Sequence, residues 1–400
     1  MTRRLHRTVF SLGLVSLLTD ASSEMIYPLL PAFLTGFLGA SPAFLGVVEG
    51  LAEAVAAGLK VVSGRLSDRL ARRKPLVVAG YAISSLVRPL VALATAPVHV
   101  LAVRVSDRIG KGVRSAPRDA LVALVTAPAD RGRAFGFQRA MDHAGAMAGP
   151  LLASAVLLLR PGDLRLVFAL AAVPAALAVL TLVVGVREEA AAGGAGSSGA
   201  TSAAVARDAG PLDPALARYL GVLAVFTLGN SSDAFLLLRA QEAGVPVVAV
   251  PLVWTLHHLV KTSASTWGGG LSDRIGRRRA IALGWTAYAL AYAGFAAVAS
   301  PLGVVLLFAF YGLFHAFSEG AERALVADLA DGPARGRAFG LFHAVTGAVL
   351  LPASLLTGFL WQRLGAAVAL GTGAALAAVA ALGLFLLVPE TAGRPRADAP

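Results

Sequence analysis

An all-α membrane protein of twelve transmembrane helices, arranged as two six-helix halves, is the fold class this sequence predicts. Three observations predict it. The first is composition. The 400-residue chain is 57% hydrophobic and 14% charged, with a mean hydropathy of +0.73. A soluble domain carries about 25% charged residues, so a chain this apolar cannot cover itself with polar surface, and the bilayer is its expected solvent. The second is the apolar runs, which repeatedly reach the roughly 20 residues a bilayer crossing needs. The third is a repeat. Gly64-Arg65-Leu66-Ser67-Asp68-Arg69-Leu70-Ala71-Arg72-Arg73-Lys74 returns as Gly269-Gly270-Leu271-Ser272-Asp273-Arg274-Ile275-Gly276-Arg277-Arg278-Arg279. Each copy sits between two such runs.

Taken in order, the spans are read at residues 8–36, 42–66, 76–96, 98–124, 134–158 and 164–186. The second six follow at 216–238, 246–271, 280–299, 302–328, 337–360 and 365–388. The fourth and tenth are the least apolar and are placed partly from the repeat. Between 187 and 214 the composition turns to Glu188-Glu189, an Ala/Gly/Ser tract and Asp213-Pro214, which reads as a flexible linker. The expected layout is therefore an N-terminal bundle over 1–186, a linker over 187–214, a C-terminal bundle over 215–388 and a tail over 389–400. The halves match elsewhere too. Ala120-Leu121-Val122-Ala123 recurs as Ala324-Leu325-Val326-Ala327, and Arg131-Gly132-Arg133-Ala134-Phe135-Gly136 as Arg335-Gly336-Arg337-Ala338-Phe339-Gly340, at one shared offset.

Charge sets the expected orientation. The N-terminus and the loops near 67–75, 129–133, 273–279 and 331–337 are basic, whereas the opposite loops hold few charges. Short basic loops face the cytoplasm, so both termini and the linker are expected there. The net charge of +12 reads as this topology signal, and nucleic acid is not an expected partner. No Cys is present, which excludes disulfides, thiolate metal sites and Cys nucleophiles. No cleavable signal peptide is evident after Arg3, Arg4 and Arg7. The Ala-, Gly- and Arg-rich composition points to a bacterium, and so to its inner membrane.

The repeated loop, Gly-x-Leu-x-Asp-Arg-x-Gly-Arg-Arg-Lys between spans two and three, resembles the signature of the major facilitator superfamily. The first copy departs from it at Ala71 and the second at Arg279. The resemblance covers the whole chain, since the 6+6 layout and central linker also fit it. It implies the major facilitator fold and a cytoplasmic gate. The gate residues it implies are Gly64, Asp68, Arg69 and Arg73, with Gly269, Asp273, Arg274 and Arg278 as their counterparts. Physically, an Asp at a helix end beside an Arg cluster can lock to helix termini and carboxylates in one state and release in another. In span five, Gly136, Gly145, Gly149 and Pro150 resemble the antiporter motif of drug-efflux members. Ala153 replaces its final Gly. Gly allows close helix approach and Pro deletes a backbone hydrogen bond. The second half has Val349, Ala353 and Ser354 at the corresponding places, so this feature occurs once. Span four carries a weaker match, Arg108-x-x-Lys111-Gly112-x-x-x-Ala116, with Lys111 where the family has Gln.

Ionisable residues inside spans are costly and point to pathways or relays. Span four holds Arg104, Asp107, Arg108, Lys111, Arg114, Arg118 and Asp119 within an arc of roughly 140° at 100° per residue. Such a stripe is expected to face protein or a cavity rather than lipid. Asp20 and Glu24 share one face of span one, Glu49 and Glu53 one face of span two, and span five adds Asp142 and His143. Asp20, Glu24, Glu53, Arg108, Lys111 and Asp142 fall near the middle of the bilayer. They are the expected proton-coupling and cavity residues, with Arg108 or Lys111 as the switchable partner of a proton-carrying carboxylate. Burial favours a protonated carboxyl and a neighbouring cation favours the ionised one. In the second half Gly229-Asn230-Ser231 stands in place of Thr19-Asp20-Ala21. His257 and His258 are adjacent and form a poor chelate; His315 and Glu319, four apart, have better geometry, but no metal site or cofactor is expected.

The resemblance implies export of a small organic molecule, a drug or metabolite, in exchange for protons by alternating access. The expected partners are that molecule, protons and the lipid bilayer, acting on a monomer. A symporter or facilitator importing a solute is the alternative, and a metal exporter a more remote one. An enzyme is not expected, because no catalytic constellation stands out, and no Gly-rich phosphate loop suggests ATP as the energy source.

Overall fold

The computed structural model describes residues 6–70, 72–127, 130–186, 212–330 and 335–390, leaving aside the side chains of Asp68, Arg69, Thr266 and Arg335. Its described residues are mostly helical and contain no strand. The segments expected to form the linker and the tail lie almost wholly outside them, as does Ala71.

Twelve helical rods appear in the expected order, several of them interrupted. Span one is an α-helix over Arg7–Ile26, followed by a 3-10 turn over Tyr27–Leu29 and a π-helical stretch over Ala32–Phe37. Pro28 and Pro31 lack the N–H that a regular ladder needs, and the irregular stretch begins three residues beyond Glu24. Span two is Pro42–Arg69, started by the Ser41 side chain, which accepts from the Phe44 N–H at 3.2 Å. Span three is Lys74–Val87, tightening at Pro89 into a 3-10 run over Arg88–Leu93. Span four is Pro97–Leu124, span five Arg131–Leu159, and span six the pair Leu164–Leu170 and Ala172–Gly185. Span seven breaks completely. Pro214–Gly229 ends, residues 230–233 leave the helix, and Ala234–Glu242 resumes. Val250–Ile275, Arg277–Ala297, Pro301–Asp328, Arg335–Leu364 and Ala366–Leu387 are spans eight to twelve.

Among the described residues, nine of these rods are long and apolar enough to cross a membrane by length and composition alone. The tenth span, expected to be weak, is one of them. Spans two, four and eight are not. Each exceeds 25 residues, so shortness is not the reason. Large aliphatic side chains remain uncovered along the apolar rods, such as Leu86, Leu159 and Leu386, as a lipid-facing surface requires.

The chain divides into two compact units, Met1–Ala200 with Val245–Thr255, and Thr201–Gly244 with Leu256–Pro400. The start of span eight therefore packs with the first unit. Small residues build that unit's close contacts. A Cβ on Gly80 would come within 2.7 Å of the Gly110 carbonyl, so spans three and four meet backbone to backbone. An apolar layer of Leu12, Val15, Val77, Tyr81, Leu121 and Leu182 seals the same region. The second unit is centred instead on aromatic rings. Phe226 stacks on Trp285 at 4.3 Å, and Tyr288 on Tyr292 at 4.1 Å.

Candidate functional site

The span-four stripe sits inside the first unit and is largely spent on neighbours. Arg104 grips Glu49 of span two with the Nε–Nη2 edge of its guanidinium, at 2.8 and 2.9 Å from Nη2 and 3.0 Å from Nε. Asp107 takes two hydrogen bonds from Arg88, at 2.8 and 3.2 Å, and Arg88 also donates to the Thr19 carbonyl of span one at 3.0 Å. Arg114 donates to Ser84 Oγ at 2.6 Å and lies over the Tyr81 ring. Arg118 pairs with Asp119 at 3.0 Å and reaches Ser16. The Arg104–Glu49 and Arg88–Asp107 pairs are desolvated, charge-assisted contacts of the kind that fix helix positions.

Arg108 and Glu53 are paired differently. Their Nε and Oε1 lie 3.0 Å apart, yet the Arg108 N–H makes no aligned hydrogen bond. The Glu53 side chain is 34% exposed, against 1% for Glu49. The two carboxylates that share a helix face thus differ sharply: one is clamped, the other loosely held and reachable. Lys111, exposed on the same stripe, has no hydrogen bond or ion pair from its ammonium among the described residues.

The acids of span one are positioned by the glycines of span five. A Cβ on Gly145 would collide with the Leu17 carbonyl and come within 3.0 Å of the Asp20 Cβ. One on Gly149 would collide with the Ala21 carbonyl and reach within 2.9 Å of the Glu24 Cβ. Only glycine permits this approach, and it occurs at the two acids. Gly136 is different, with nothing within 4 Å of its position, so close approach does not account for it. Pro150 is buried inside an uninterrupted helix. Asp20 makes no hydrogen bond or ion pair among the described residues, and Asp142 Oδ1 is buried without a partner. Glu24 accepts the Trp254 indole N–H at 2.8 Å. Trp254 also packs on the Tyr27 ring at 5.6 Å. Nothing in the sequence singled out this bond, because the partners are far apart in the chain.

The second unit places His257 against Tyr311, stacked at 5.0 Å, with His258 and His315 each 5.5 Å away edge-on. Tyr311 donates to Asp233 at 2.7 Å. Glu319 is engaged by Lys261 at 3.6 Å and Arg323 at 3.1 Å. Among the described residues no group of three or more His, Asp or Glu side chains is arranged to hold a metal.

Of the expected gate residues, Asp68 and Arg69 have side chains outside those described. A Cβ on Gly64 would meet Ala116 at an ordinary 3.6 Å, and one on Gly269 would meet nothing within 4 Å. In the second loop, Asp273 pairs with Arg277, which also lies 3.6 Å from Asp328 at the end of span ten. Arg278 reaches Glu390 at 3.5 Å and donates to the Val388 carbonyl at 3.0 Å. Arg277, Asp328 and Glu390 were not singled out from the sequence. Arg277 could have been, since it stands only four residues beyond Asp273 in the same basic turn.

The sequence matches the family model described as Major Facilitator Superfamily over residues 12–256 and 219–400. An MFS-type transporter of Methanocaldococcus jannaschii is 35% identical over 366 residues, 90% of this chain and 90% of that protein. The multidrug resistance protein MdtH of Photorhabdus laumondii is 32% identical over 130 residues, 32% of each chain. Among solved structures, the nucleoside transporter NupG superposes with a TM-score of 0.75 at 16% identity, covering 95% of this chain and 99% of that one. That last likeness is one of fold.

Proposed function

The chain belongs to the Major Facilitator Superfamily and is a multi-pass membrane transporter, and on that premise we propose that it exports a small organic molecule in exchange for protons. The observation that carries the reading is Asp20. It sits in span one where Gly145 allows span five to touch, without a hydrogen bond or ion pair among the described residues. Asp142, Glu24 and Lys111 stand within electrostatic reach of it. An intramembrane acid left unclamped beside clamped ones is placed to exchange a proton. Glu53 and Arg108, held loosely, form the switchable pair. The tight pairs, Arg104 with Glu49 and Arg88 with Asp107, are scaffolding.

Alternating access in such a fold moves one bundle against the other about a site near the midplane. Here the bundles are residues 1–186 and 215–388, acting in one chain in a bacterial inner membrane with both termini in the cytoplasm. The Asp-Arg loops latch the cytoplasmic side. Export rather than import is supported by the span-five glycines, which meet the acids, and by the one-third match to a multidrug resistance protein. The cationic stripe favours anionic or zwitterionic cargo.

The test is accumulation in cells expressing the chain, with carboxyfluorescein, a zwitterionic fluoroquinolone and ethidium as probes. Lower accumulation of the first or second, restored by a protonophore, is expected. Higher accumulation of any probe that depends on the proton gradient would reverse the direction.

A further inference from the structure

The outer face of the second unit carries a groove of about 660 Å³ between spans nine and twelve, separate from the polar clusters. Ala282, Ala289 and Ala381 form its floor, and the exposed side chains of Leu283, Leu290, Leu382 and Phe385 its walls. The two spans run in opposite directions, because Arg278 at the start of span nine meets Val388 just beyond span twelve. The groove therefore has a defined head, at Arg279 and Phe385, and a defined foot, at Leu290 and Ala378. From Arg279 to Leu290 the helix rises about 16 Å at 1.5 Å per residue. The hydrocarbon core is about 30 Å thick, so the groove is one leaflet deep.

The head is cationic, and among the described residues one of its charges is unpaired. Of the basic residues around the turn, Arg277 is held by Asp273 and Asp328, and Arg278 by Glu390 and the Phe385 and Val388 carbonyls. Arg279 is exposed and has no hydrogen bond or ion pair among the described residues. A free guanidinium at the head of an apolar channel one leaflet deep matches a single amphiphile. Guanidinium meets phosphate through two parallel N–H donors, and basic sites between spans near the membrane surface favour anionic headgroups.

We propose that this groove binds an anionic phospholipid of the leaflet on the Asp273–Arg279 side. One acyl chain lies between spans nine and twelve, and the phosphate rests on Arg279. The site is independent of transport direction and of proton coupling, so it stands or falls separately from them.

Native mass spectrometry of the delipidated full-length chain tests it, titrating phosphatidylglycerol against phosphatidylcholine with identical acyl chains. The wild type is expected to prefer phosphatidylglycerol by about fivefold, the worth of one basic contact at a membrane surface. Arg279→Gln should bring the two lipids to parity while leaving phosphatidylcholine binding unchanged. Ala378→Phe, which fills the foot from an exposed position, should weaken both lipids. A preference that survives Arg279→Gln, or binding of both lipids unaltered by Ala378→Phe, would overturn the proposal.

Discussion

Gly149 of span five faces Glu24 of span one so closely that a β-carbon on the glycine would lie 2.9 Å from the glutamate's own. The same helix pair repeats the arrangement one turn away, at Gly145 and Asp20. Adding side chains here must push the spans apart. Gly149→Val and Gly145→Val are each expected to cost about 1–3 kcal/mol, the usual penalty of overpacking, and to abolish transport. Gly136→Ala should be silent in both respects, because its position is open. Thermal melts in detergent and transport assays compare the three directly.

The two carboxylates of span two should separate stability from function. Glu49→Gln leaves Arg104 buried without its counter-charge, a loss of about 3–5 kcal/mol for a buried pair. Glu53→Gln disturbs a partly exposed carboxylate whose partner is not aligned to it. The expected result is a large drop in melting temperature for the first. For the second, the expected result is a near-normal melt with defective proton-driven transport. Equal effects of both would remove the distinction drawn between clamp and switch.

Trp254 should report on Glu24. Trp254→Phe keeps the ring packing on Tyr27 but removes the indole donor, and a hydrogen bond to a charged group is worth about 1.5–3 kcal/mol. The variant is expected to alter the pH profile of transport. In a Glu24→Gln background the same substitution should leave the profile where it was, because the carboxylate it acts on is gone. An unchanged profile in Trp254→Phe alone would show that the bond plays no part in coupling.

The turn between spans eight and nine is expected to matter for turnover more than for stability. Asp273 is 67% exposed at its side chain, and exposed ion pairs contribute about 0–1 kcal/mol. Arg277→Gln should leave the melting temperature nearly unchanged and slow transport. A strong stability loss with normal turnover would make the cluster a staple rather than a latch.

Much of this was legible in the sequence. Runs of apolar residues and the duplicated Asp-Arg loop located the twelve rods, because hydropathy and helix length report directly on bilayer crossing. The span-four stripe was visible from its 100° periodicity. What periodicity cannot report is pairing between helices. It grouped Glu49 with Glu53, although span four clamps one and leaves the other loose. The motif resemblance grouped Gly136 with Gly145 and Gly149, although only at the latter two would a Cβ meet a neighbour. The tenth span reads as one of the least apolar of the twelve, yet Pro301–Asp328 is long and apolar enough to cross. The bond from Trp254 to Glu24 was not legible, because the two partners are 230 positions apart.

Proton movement coupled to substrate is the central claim. The most direct measurement uses proteoliposomes holding a trapped pH dye, with no imposed gradient, and adds externally whichever probe the cells were found to export. Exchange predicts that inward flow of the probe drives protons out and turns the lumen alkaline, and that at least one of Asp20→Asn, Glu24→Gln and Glu53→Gln abolishes the signal. Probe uptake that leaves the lumen unchanged or acidifies it, or full signals in all three variants, would contradict it.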